Sequence, residues 1–170
     1  DKVAFLADNS LAITKLFDVF DGRDEDFEGT FKYGITIHEQ YIPSSLSEFD
    51  DVETNLVNYL RPYSKENLDS YIRGYLGRML FSGEEALKQV KVLSGGEKVR
   101  LRFSRIMLNP GNLIMLDDPT NHLDLESIES LNRAMQETKS VLLFTSHDRQ
   151  LINSIANRII YIKADGSYVD

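Results

Sequence analysis

The chain has 170 residues, about one domain in length and enough to bury a real core. Hydrophobic residues make up 42% of it, but no stretch approaches the roughly 18 consecutive apolar residues of a membrane span, so a soluble segment with no membrane insertion of its own is expected. There is no cysteine, which removes disulfides and thiolate metal sites and suits a cytoplasmic location, and the formal charge of −8 argues against non-specific nucleic-acid binding by this segment alone, so that any RNA contact is expected to be local or made elsewhere.

The first residue, Asp1, leads straight into the apolar run at 2–6 with no signal-peptide pattern, as expected of a piece of a longer protein. Residues 2–6, 113–116, 141–144 and 159–162 read as buried parallel strands. Residues 9–20, 95–108, 125–135 and 149–156 read as the helices that connect them. Helical patterns at 52–60 and 71–80 form an insert between the first strand and Leu93. The pattern is α/β with a mainly parallel sheet, a core at 1–43 and 96–170, and a helical subdomain at 44–95. The acidic runs at 21–28 and 48–53 read as solvated loops.

Three segments carry chemistry. In Leu93-Ser94-Gly95-Gly96-Glu97-Lys98, Ser94 and Glu97 have capping-box spacing, so a well-capped helix accounts for half of the pattern. It does not account for two glycines in a first helical turn, each about 1 kcal/mol worse there than alanine; they suit a backbone that lets an anion approach a helix N-terminus. Asp117 and Asp118 close an apolar strand at the carboxyl end, where ligands bind in open parallel sheets. An acidic turn before Pro119 is the plain alternative. The chemical reading gives Asp117 to Mg²⁺ and Asp118 to the attacking water. His147 follows a second strand within Ser146-His147-Asp148; it reads as a capping or buried histidine, or as an imidazole that reaches a γ-phosphate.

Together these segments resemble the ABC ATPases: residues 93–98 resemble the signature motif, 113–118 the Walker B strand, 121–124 the D-loop and His147 the switch histidine. The wording Pro119-Thr120-Asn121-His122-Leu123-Asp124 is similar to the ABC-F subfamily, soluble twin-cassette proteins that act on ribosomes, and residues 77–82 and 126–131 resemble its second cassette in bacterial translation-factor-like members. The resemblance implies a P-loop NTPase fold of ABC type, ATP and Mg²⁺ as cofactors, and a second cassette in the same polypeptide or a dimer partner. It also implies the ribosome, RNA and protein, as a partner. Asp118 and His147 become the catalytic candidates, Thr14 and Asp117 the metal ligands. Ser94, Gly95, Gly96, Glu97 and Asp124 face a nucleotide.

The amino-terminal stretch departs from the family pattern. Where a phosphate loop reads Gly-x-x-x-x-Gly-Lys-Ser/Thr, this chain has Ala7-Asp8-Asn9-Ser10-Leu11-Ala12-Ile13-Thr14. Asn9, Ser10, Ala12, Ile13, Thr14 and Lys15 are the nucleotide candidates by position. Both glycines are nevertheless alanine and the lysine is Ile13, while Asp8 adds charge of the wrong sign. Lys15, turned about 200° from residue 13 on a helix, points away. Restoring lysine at 13 and glycine at 12 is therefore expected to strengthen nucleotide binding. Asp118 also stands where the family has glutamate, and the Mg²⁺-sensing glutamine aligns with either Gln40 or Glu39. The expectation is an ATPase with one active site and one impaired site. A regulatory cassette without catalysis and the ATPase subunit of a membrane transporter are the alternatives.

Overall fold

The computed structural model describes residues 1–170. The chain divides into two compact units. One is formed by Asp1–Ser44, Gly111–Pro119 and Gln136–Asp170, the other by Ser45–Pro110 and Thr120–Met135.

The first unit is built on a six-stranded sheet: β1 (Lys2–Ala7), β2 (Glu39–Ile42), β3 (Leu113–Leu116), β4 (Val141–Thr145), β5 (Arg158–Ile162) and β6 (Tyr168–Val169), in the order β2-β3-β4-β1-β5-β6. Neighbouring strands are parallel except β5 and β6. The central strands read as apolar runs because both faces are covered: Ala4, Met115 and Phe144 are fully buried. Helix α1 (Ser10–Phe20) starts at Asn9, whose side chain accepts from the Leu11 N–H, and buries Ile13 and Phe17 one turn apart. Phe17 meets Phe5 and Tyr41 edge-on, with ring centroids 5.6 and 6.1 Å away.

All four strands read from the sequence are present, and β2 and β6 are additional. Strand β2 is Glu-Gln-Tyr-Ile, of which only Tyr41 and Ile42 are buried. Parallel pairing from Glu39 opposite Leu113 to Ile42 opposite Leu116 makes it a strand, a long-range cause that a four-residue pattern does not carry.

The second unit contains α2 (Leu56–Leu60), α3 (Asp69–Arg78), α4 (Gly95–Leu108) and most of α5 (Leu125–Glu137). The helix expected at 52–60 begins only at Leu56, because Asn55 caps it by accepting from the Asn58 N–H at 2.9 Å. The stretch expected at 71–80 is α3, which stops at Arg78 as Leu80 turns to a φ of 63°. Helix α4 packs on α2 and α3, and residues 96–110 and 120–135 both belong to this unit, so the packing does not divide at 95/96.

The acidic run at 48–53 is only partly solvated. The Glu48 carboxylate accepts from Arg102 Nε at 2.8 Å and lies 3.6 Å from Arg105 Nη2. Arg102 is 1% exposed and also donates to the Ser45 carbonyl at 2.6 Å. A guanidinium buried on α4 requires such partners, so Glu48 is a structural counter-ion. No helix is long and apolar enough to cross a membrane.

Candidate functional site

In the first unit, β3 delivers Asp117 to its carboxyl end, where the Asp117 N–H still donates to the Ile42 carbonyl of β2 at 2.9 Å. The Asp117 side chain is buried and receives two hydroxyls: Thr14 Oγ1 donates to Oδ2 at 2.8 Å and Thr145 Oγ1 to Oδ1 at 3.2 Å. Burial pushes the Asp117 carboxyl above its ordinary pKa, and these two donors oppose the shift. Thr145 Oγ1 also accepts from the Asp118 N–H at 2.8 Å, fixing Asp118 in a left-handed conformation with φ 45°. A hydroxyl beside a carboxylate is a hard-oxygen pair able to supply two ligands of Mg²⁺, which keeps its remaining positions for water and phosphate oxygens.

The stretch before Thr14 does not match that pair. Ile13 is 2% exposed and belongs to the apolar cluster of Val3, Phe5, Phe17, Tyr41 and Met115. Asn9 is occupied as the cap of α1, while Ser10 and Ala12 face solvent. The Asp8 carboxylate accepts from the Tyr161 hydroxyl and from the Ala164 N–H, and both hold its pKa below the ordinary value. Lys15 lies 3.5 Å from Asp24 and is largely exposed. Residues 7–14 contain no cationic side chain. The donor set therefore fits Mg²⁺ at Thr14 and Asp117, and it does not fit a triphosphate at 7–14. His147 is exposed on the loop after β4, just ahead of Asp148, which caps α6 (Arg149–Ile155).

In the second unit, the start of α4 opens on a cleft of about 310 Å³. Ser94, Gly95, Gly96, Glu97 and Asp124 all line it. The capping box is complete: Ser94 Oγ accepts from the Glu97 N–H at 3.3 Å, and Glu97 Oε2 accepts from the Ser94 N–H at 2.8 Å. Burial raises the Glu97 pKa, but the Ser94 N–H and Lys88, 2.9 Å from Oε1, outweigh it and hold the carboxyl below its ordinary value. Asp124 accepts from the Ser127 N–H at 2.9 Å, and the Ser127 hydroxyl and N–H hold its carboxyl low. Both carboxylates are thus tied down. The N–H groups of Gly95 and Gly96 have no partner within the helix, and the helix dipole adds positive potential there.

Three lining residues, Arg100, His122 and Ser127, lie outside the set read from the sequence. Arg100 is four residues beyond Gly96, hence on the same helix face, and that spacing is a signal a sequence reading could use. Its guanidinium is fixed by the Met79 and Leu80 carbonyls at 3.2 and 3.3 Å and lies 4.8 Å from the centroid of the Phe81 ring. A helix N-terminus, a fixed cation and two residues without a Cβ make a surface that can accept an anion. His122 adopts φ 67°, for which the sequence carries no signal.

The family model described as ABC transporter matches residues 20–121, more than half of the chain. The chain belongs to the ABC transporter family. It is an ATP-binding cassette, and the family implies ATP as its nucleotide. The cassette is 52% identical to the uncharacterized ABC transporter ATP-binding protein YkpA of Bacillus subtilis over 98% of its own length and 31% of that protein's. It is 32% identical to ABC transporter F family member 2 of Arabidopsis thaliana over 100% of its length and 25% of that protein's. It thus spans about a third or less of these relatives. Among solved structures, the complex of archaeal ribosomal stalk protein aP1 and archaeal ribosome recycling factor aABCE1 shares the fold, with a TM-score of 0.79, 21% identity, and coverage of 95% of this chain and 31% of that one.

Proposed function

We propose that the cassette works in a head-to-tail pair within an ABC-F-type ATPase acting on the ribosome. Its 94–97 turn completes an ATP site whose phosphate loop belongs to a second cassette, while its own 7–14 loop holds nucleotide poorly. The observation that carries this reading is the burial of Ile13, 2% exposed among aromatic and aliphatic side chains where a phosphate-binding lysine would be needed. The open α4 N-terminus supports the other half, because it offers unpaired N–H groups and Arg100 to an anion held from outside the chain. In this reading Asp117 and Thr14 hold Mg²⁺, and Asp118 and His147 serve the impaired site. ABC-F membership is supported by the wording at 119–124 and by the F family relative, and the ribosome by the resemblance of that wording alone.

Titration of the full-length protein with Mg-ATP, wild type against Ser94→Asp, tests the proposal. Aspartate caps a helix about as well as serine, so the variant keeps α4 while adding a carboxylate that repels phosphate. Apparent ATP affinity is expected to fall at least about tenfold, the effect of about 1.4 kcal/mol. Unchanged affinity would sink the reading and favour a cassette that only regulates or dimerises.

A further inference from the structure

We infer that His122 is a positioning residue of the 94–97 site: the carbonyl of its left-handed turn is what requires glycine at 96, and that contact sets where the first turn of α4 stands. The inference rests on the reading that this cleft receives phosphate.

The two glycines have different neighbours. A Cβ at Gly96 would lie 2.9 Å from the His122 carbonyl oxygen, a backbone atom that cannot swing aside. At Gly95 the nearest atom is His122 Cβ at 3.4 Å, close to an ordinary van der Waals contact. Approach of an anion would constrain both positions alike; the His122 carbonyl constrains Gly96 alone.

The turn that carries this carbonyl is held at both ends. The Leu123 N–H donates to the Thr120 carbonyl at 3.2 Å, and Asp124 caps α5 through the Ser127 N–H at 2.9 Å. Between them His122 stands at φ 67°, which asparagine and glycine adopt readily and β-branched residues resist. Forcing His122 out of that region moves its carbonyl, and with it the seat of Gly96 and the N–H groups that open on the cleft. A displacement of about 1 Å at a phosphate contact can cost about a hundredfold in rate.

The test uses the full-length protein with Gly96→Ala, His122→Val, the double variant, His122→Asn and Gly95→Ala. Melting without nucleotide should show Gly96→Ala and His122→Val each lowering the midpoint, and the double variant lowering it by less than the sum, because both displace one contact. His122→Asn should return close to the wild-type midpoint, and Gly95→Ala should lower it far less than Gly96→Ala. If valine prevents folding, His122→Ala gives the same ordering at smaller amplitude. In turnover, His122→Val should lower kcat at least about tenfold with KM for ATP little changed, and His122→Asn should recover most of it. Additive melting losses, an asparagine variant as damaged as the valine variant, or equal losses at 95 and 96 would each overturn the inference. The melting cycle is read without nucleotide, so it fails or stands separately from the Ser94→Asp binding experiment.

Discussion

Thr14 donates its hydroxyl to the buried Asp117 carboxylate at 2.8 Å, joining the first turns of α1 to the end of β3. The two residues are the Mg²⁺ ligands proposed above, and the Thr14 hydroxyl satisfies one oxygen of that carboxylate. Thr14→Val removes the donor and leaves Asp117 Oδ2 without one in a buried setting, at a cost of about 1–3 kcal/mol. Thr14→Ser keeps the hydroxyl and should cost less. Urea unfolding of the two variants checks the ordering; equal stability would show that water replaces Thr14 freely.

Ile13 alters the meaning of a repair. From the sequence, lysine at 13 with glycine at 12 restores a cation to the phosphate loop. In the structure, position 13 is a core position beside Phe5, Phe17 and Tyr41. A lysine there either buries its ammonium or leaves the core, and the loss should reach about 3 kcal/mol or more. Ile13→Lys is expected to lower the melting midpoint without producing micromolar ATP binding. A variant as stable as wild type that binds Mg-ATP would show that the loop rearranges easily.

Asp8 gives a pH signature. The Tyr161 hydroxyl and the Ala164 N–H depress its folded pKa, so its stabilisation is fully present above the unfolded value near 3.8 and is lost as pH falls through the lower folded value. Asp8→Ala should therefore melt below wild type at neutral pH, and the gap should close only in acid below about pH 3.8. A gap that closes between pH 7 and pH 5 would point to a histidine instead.

Much of the scaffold was legible because its causes are local. Ser94 and Glu97 announce the start of α4 through capping alone, and the four apolar strands announce themselves by composition. Strand β2 was not legible, since Glu39 and Gln40 become strand residues only beside β3. The candidate site divides in the same way. Alignment to the family's phosphate loop suffices to name Thr14 beside Asp117, but the left-handed His122 and its carbonyl over Gly96 arise from packing between segments 26 residues apart in sequence, or 122 less 96. Nor does the composition of the 48–53 run reveal that Glu48 is the counter-ion of a buried arginine.

The proposed cassette is asymmetric: it completes a neighbour's ATP site while its own is impaired. Steady-state phosphate release by the full-length protein, comparing Ser94→Asp with Asp118→Asn, tests it most directly. Ser94→Asp is expected to remove most turnover, about tenfold or more, and Asp118→Asn to leave most of it, since the site proposed for Asp118 has no phosphate-binding cation. Loss of turnover in Asp118→Asn equal to that in Ser94→Asp would mean that this cassette's own site hydrolyses ATP and that the cassette is not asymmetric.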